Sequence, residues 1–155
     1  VGGLGPEGAT TVARMDLRMT AAERQAFLAD LHVGVMAIER DGGPPLAVPV
    51  WYDYQPGGEV EVITGQDSVK ARLLQRAGRF SLCVQDENPP YAYVSVEGPV
   101  IEVAEDDREL HELPMAIRYL GEQGGRDYID SLPPSEWKRY VVRPERWMSM
   151  DGNSD

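Results

Sequence analysis

The sequence predicts a mainly β domain with peripheral helices, closed into a small barrel. Two observations carry that reading. About six short runs of alternating or β-branched apolar residues are joined mostly by Gly- and Pro-bearing turns, with one helix inserted among them. There is no parallel strand–helix–strand rhythm and no internal repeat. At 155 residues the chain suits a single domain, expected over residues 15–155. A domain of that size buries roughly 70% of its unfolded surface and needs no staples.

The elements follow in order. Residues 1–14 are rich in Gly, Thr and Ala without an apolar period and read as a flexible arm, with Met15 a candidate start. Thr20 and Glu23 fit a capping box, and Phe27, Leu28 and Leu31 share one face, which predicts a helix over about residues 21–31. Val33 to Glu39 reads as a strand, and Asp41-Gly42-Gly43-Pro44 as a turn. Leu46 to Tyr54 is a second strand, interrupted at Pro49. A proline there removes a ladder donor, so the segment belongs at an edge, at a bulge or beside a ligand. Val60 to Thr64 follows a Gln55-Pro56-Gly57-Gly58 turn, and the three runs are expected to form an antiparallel meander.

Ser68 can cap a helix to about Arg76, with Gly78 as its stop. Phe80 to Gln85 is a strand. Tyr91 to Val96 and Val100 to Val103 read as two more, bent at Gly98-Pro99. Residues 106–131 look helical, with breaks at Pro114 and Gly124-Gly125. Tyr140 to Val142 and Trp147 to Met150 close the chain as strand.

A net charge of −11 argues against nucleic acid or an anionic membrane surface as partner, since both need a basic face. No apolar run approaches the roughly 20 residues that cross a bilayer. No signal-peptide pattern opens the sequence, and one lone cysteine makes no internal disulfide, so a cytoplasmic protein is expected. Cys83 reads as a small core residue. His32 and His111 have no ligand partners at metal spacing, so no metal site is expected. The acidic run Glu105-Asp106-Asp107 reads as favourable charge at a helix start. Tyr91, Tyr93 and Trp51 suit core, dimer contact or a cofactor wall.

One segment carries a chemical pattern. A strand ends at Thr64, a short polar loop follows, and a helix begins after Ser68 with Lys70 and Arg72 in its first turn. A helix start offers free N–H groups and a positive dipole end, which suits an anion such as a phosphate monoester. The same residues also make an ordinary capped helix with basic residues on its solvent face.

Ser68-Val69-Lys70, following Ile63-Thr64-Gly65, resembles the S-R-K phosphate-binding step of the pyridoxamine 5′-phosphate oxidase family. Arg79-Phe80-Ser81-Leu82-Cys83-Val84 is similar to its next strand, and Tyr93-Val94-Ser95-Val96-Glu97-Gly98 to its Q-V-R-V-E-G strand. Residues 137–146, from Trp137 through Tyr140, Val142 and Pro144 to Arg146, resemble its W-x-x-Y-x-V-x-P-x-R stretch. In order, the pieces span about residues 33–150. There are departures. Ala47-Val48-Pro49-Val50-Trp51 stands where the family has R-x-V-L-L, so a phosphate-holding arginine is missing, a role Arg72 can take. Tyr93 replaces an interfacial glutamine. The substrate tail W-x-G-R-x-x-R-x-H is absent, which argues against true pyridoxamine-phosphate oxidase activity.

The resemblance implies a split β-barrel homodimer that binds FMN, or its deazaflavin analogue coenzyme F420, as the short actinobacterial-type relatives do. It implies a ring lying along Val48, Pro49, Val50 and Trp51, with Thr64 and Ser68 meeting ribityl or phosphate oxygens. Lys70 and Arg72 would neutralise the phosphate, and Tyr93 of the partner subunit would wall the far face. The implied activity is hydride transfer to or from a small organic substrate, with no catalytic acid or base identified. A non-catalytic flavin-, deazaflavin- or haem-binding module and a plain dimeric barrel are the competing readings.

Overall fold

A computed structural model describes residues 16–152. The arm expected over residues 1–14, and Met15, lie outside the described residues. The described chain is mainly β, a curled antiparallel sheet with three helices. Its helices are α1 (Ala21–Ala29), α2 (Val69–Ala77) and α3 (Leu113–Ser131). Its strands are β1 (Gly34–Ile38), β2 (Leu46–Val50), β3 (Asp53–Tyr54), β4 (Val60–Gly65), β5 (Arg79–Asp86), β6 (Ala92–Glu105), β7 (Trp137–Val142) and β8 (Arg146–Asp151). Their order is β2-β1-β5-β6-β7-β4-β3, with β8 also paired to β6.

Local signals place the helices. The capping box forms as expected: Glu23 N–H donates to Thr20 Oγ1 (3.2 Å) and Thr20 N–H to Glu23 Oε1 (3.1 Å). Of its expected apolar face only Leu28 is fully buried; Leu31 lies past the helix end and is exposed. Ser68 caps α2 by accepting from the Ala71 N–H (3.1 Å), and Gly78 ends it in the left-handed conformation.

Three expectations about strands are corrected. First, the meander does not form. β1 pairs with β2, but the chain then crosses at Trp51-Tyr52, and the β3–β4 hairpin joins the other side of the curl, where β4 pairs with β7. Alternation reports which face of a strand is buried, not which strand lies beside it. Pro49 does lie on an edge strand, opposite Val35. Second, residues 92–105 form one strand rather than two. Its first half lies between β5 and β8, and its second half pairs with β7. The exchange of neighbours falls at Gly98. The β7–β8 connection passes so close that a Cβ on Gly98 would lie 1.8 Å from the Arg143 carbonyl oxygen. Arg143 N–H donates to Pro99 O (3.1 Å) and Glu145 N–H to Glu97 O (2.9 Å), which hold that crossing. Third, Cys83 is exposed. It faces outward from β5, between Val35 and Ser95.

The region 106–131 begins with a π-type turn at Arg108–Glu112, capped by Asp107, whose Oδ1 accepts from Glu109 and Leu110 N–H groups (both 3.0 Å). Pro114 lies in the first turn of α3, where its missing N–H costs nothing. The break falls at Gly121 (φ 81°), not at Gly124-Gly125. There the helix reverses, and Gly125 packs directly on Ile117; a Cβ at 125 would lie 2.6 Å from the Ile117 nitrogen. α3 is therefore a helical hairpin, because residues eight apart in a straight helix are about 12 Å apart.

The main core fills the curl. Leu28, Met36, Ile38, Tyr52, Val60, Leu82, Val84, Val94 and Tyr140 are all fully buried there. Tyr52 keeps its hydroxyl satisfied by donating to Leu28 O (2.6 Å). Leu113, Ala116 and Ile129 make a second cluster inside the α3 hairpin, closed by Trp51. No helix of the described residues is long and apolar enough to cross a membrane.

Candidate functional site

Where β2 ends, the chain leaves the sheet at Trp51, and α3 covers that exit. Two contacts fix the cover. The Trp51 and Tyr119 rings stack at 4.9 Å and 6°. Tyr119 OH donates to His32 O (2.6 Å) and accepts from the Tyr52 N–H (3.1 Å). Arg118 adds bonds to Ala29 O (3.2 Å) and Asp30 O (3.0 Å) at the end of α1. Beside this anchor a cleft of about 230 Å³ remains between sheet and hairpin. Pro49, Val50 and Trp51 form one side, Ile63 and Trp137 the floor strands, and Met115, Tyr128 and Ile129 the α3 side. One basic and one acidic side chain line it: Lys70 from the first turn of α2, and Glu112 from the turn before α3.

The residues singled out in the sequence divide into two groups. Pro49, Val50, Trp51 and Lys70 come together in the cleft. Thr64 and Ser68 lie next to Lys70 along the chain, but their hydroxyls are engaged. Thr64 Oγ1 and Ser68 Oγ are 3.1 Å apart, Ser68 also caps α2, and Thr64 is only 3% exposed. Val48 turns its side chain to the core. Arg72 is exposed on α2 and does not line the cleft. Tyr93 stands on the opposite, outer face of the sheet, between Gln85 and Met150. Within one chain it takes no part in the cleft.

Lys70 forms no ion pair among the described residues, although the cleft half-buries it. Its neighbourhood also includes the start of α2, where the Val69 and Lys70 N–H groups precede the first intrahelical bonds. Glu112 is only 9% exposed. Burial first, then the adjacent Asp106 carboxyl, push the Glu112 carboxyl up to about 7, against the opposing pull of Arg108. Glu112, Tyr119 and Tyr128 escaped the sequence reading. A glutamate in a polar, acidic stretch carries no mark of burial until a hairpin is seen to fold over it.

No protein-family model matches the sequence, and no curated protein matches it. Solved structures do. A conserved hypothetical protein from Mycobacterium tuberculosis matches at 26% identity with a TM-score of 0.72, over 90% of this chain and 89% of that one. A protein described as an F420 reductase matches at 21% identity with a TM-score of 0.65, over 80% and 94%. A putative pyridoxamine 5′-phosphate oxidase from Listeria innocua matches at 13% identity with a TM-score of 0.61, over 83% and 96%. The architecture is thus that of the split β-barrels. The fold is the one shared by these proteins, and the resemblance to the pyridoxamine 5′-phosphate oxidase family read from the sequence holds at the level of the fold.

Proposed function

We propose that the protein is an FMN-binding oxidoreductase that moves a hydride to or from a small organic substrate. The observation that carries this reading is Lys70. It is a half-buried cation without an ion pair among the described residues, at a capped helix start, in the same cleft as the Pro49–Trp51 segment. A flat apolar ring bearing one phosphate fits such a donor set: a cation and free N–H groups at one end, proline and aromatic surface beside them. Bound flavin would supply the hydride chemistry. The protein's part is to bind and orient. Lys70 would neutralise the phosphate, the fixed Trp51–Tyr119 stack would give the ring an unyielding apolar border, and the α3 hairpin would exclude water.

A cleft of about 230 Å³ is smaller than the roughly 300–1,000 Å³ that encloses most bound cofactors. A second chain would complete it. The outer sheet face supports that arrangement. Pro49, Val35, Cys83, Ser95 and Met148 align across five strands, with Val35 46% and Met148 65% exposed. An apolar row of that kind suits a second copy of the same face. In such a homodimer Tyr93 of the partner subunit would help wall the ring.

Coenzyme F420 is the second reading, favoured by the likeness to a protein described as an F420 reductase. Its longer polyanionic tail meets an acidic chain of net charge −11, with Lys70 the one lysine in the cleft. Long-range repulsion therefore favours FMN. Titration of the apoprotein tests both. Lys70→Ala should weaken FMN roughly ten- to a hundredfold and leave riboflavin, which lacks the phosphate, unchanged. Lys138→Ala is the control, since Lys138 pairs with Glu105 at 3.4 Å, outside the cleft. Tighter binding of F420 than FMN would overturn the choice of cofactor. Unchanged FMN affinity in Lys70→Ala would overturn the site.

A further inference from the structure

We propose that Glu112 makes occupancy of this cleft proton-dependent: a phosphate-bearing ligand held by Lys70 is accepted when the Glu112 carboxyl is protonated and rejected when it is ionised. The inference rests on the reading of the cleft as a phosphate-ligand site and adds a regulation to it.

Three observations lead there. Glu112 lines the cleft together with Lys70, so an anion drawn in by the lysine shares the cleft with the carboxyl. Glu112 is 9% exposed, and its Oε1 is buried without a hydrogen-bond partner. Its Oε2 has only a distant contact with Arg108 Nε, at 3.9 Å. A buried carboxyl oxygen without a partner carries a desolvation cost when ionised, which protonation relieves. The charged groups that act on it are Asp106 and Arg108 from the segment before it, and Lys70 of α2 and Tyr128 of the second arm of α3 line the same cleft. Asp106 Oδ1 is likewise buried and unpartnered. Burial and the neighbouring Asp106 carboxyl both disfavour the ionised form of Glu112, so Glu112 keeps its proton to higher pH than an ordinary carboxyl. Near neutral pH that proton is held weakly enough to be lost.

A phosphate entering the cleft adds negative charge beside the pair. Protonated Glu112 can donate a hydrogen bond to it; ionised Glu112 repels it. By linkage, ligand binding then takes up a proton. The sign is distinctive. The phosphate of FMN has a second pKa of about 6, so with Lys70 alone affinity would hold or rise from pH 6 to 8. Control by Glu112 makes it fall.

Calorimetric titration of the full-length apoprotein with FMN at pH 6, 7 and 8, in buffers of different ionisation heat, tests this. Riboflavin is run in parallel. The expected result is a fall in FMN affinity of about five- to tenfold between pH 6 and 8, with up to one proton taken up on binding at pH 8, and no fall for riboflavin. Glu112→Gln keeps a hydrogen-bond donor and removes the titration. It should bind FMN at pH 8 as tightly as the native protein does at pH 6, with no proton uptake. FMN affinity that is flat or rising with pH, or a fall that survives in Glu112→Gln, overturns the role of Glu112 and leaves the FMN site standing. FMN binding no tighter than riboflavin at every pH, in both proteins, overturns the phosphate site and this inference together.

Discussion

Gly98→Ala should damage the fold more than any other small substitution in the sheet. The added methyl would lie 1.8 Å from Arg143 O and 2.9 Å from its carbonyl carbon. Both are backbone atoms that cannot rotate aside. Relief requires the β7–β8 connection to lift from β6. That stretches the Arg143–Pro99 and Glu145–Glu97 hydrogen bonds, now 3.1 and 2.9 Å. Two backbone bonds at about 0.5–1.5 kcal/mol each, with about 1–3 kcal/mol for overpacking, give a loss of about 3–4 kcal/mol. In a domain of this size that lowers Tm by roughly 10 °C. Gly65→Ala is the matched control, since a Cβ there meets nothing within 4 Å. It should melt within about 2 °C of the native protein. Thermal unfolding followed by circular dichroism decides the matter. Equal melting of the two variants would refute the claim that Gly98 exists to let the crossing chain pass.

Two further outcomes are expected. Tyr119→Phe keeps the stack on Trp51 but loses the bonds to His32 O and Tyr52 N–H. It should cost about 1–3 kcal/mol and raise amide exchange in α3 before the sheet; unchanged exchange would show that the stack alone holds the hairpin. Met148→Arg, on the outer sheet face where Met148 is 65% exposed, should leave the melting curve in place but convert a dimer to a monomer in light scattering. A native protein that is already monomeric at micromolar concentration would remove the shared-site arrangement.

Features set by a few neighbouring residues were legible in the sequence. The capping box at Thr20, the Ser68 cap, the Gly78 stop and the edge position of Pro49 each follow from chemistry within four residues or from a missing donor. Features set by distant chain segments were not. Nothing local distinguishes a bend at Gly98 from a strand that continues past it with new neighbours. The reversal of α3 fell at Gly121 because Gly125 is needed for contact with Ile117, a demand that exists only once the hairpin has formed. Cys83 was misplaced because a β-strand alternates faces, and one apolar residue does not declare which face is its own. For the cleft, Pro49 to Trp51 and Lys70 carried visible signals. Glu112 carried none, because its burial comes from a segment folding over it.

The long strand β6 has a bearing on how the molecule comes into being. Its pairing with β5 is a short-range hairpin, available as soon as residue 105 has left the ribosome. Its other edge must wait for β7 and β8, which arrive only after the whole of α3 has been made. Until then the strand exposes open backbone on one side while Val94 and Val96 lack part of their eventual cover. Long-range closure is slow relative to local pairing. The nascent chain therefore passes through a stage in which its longest strand is half-paired and adhesive, and anything that delays synthesis between residues 106 and 136 prolongs it.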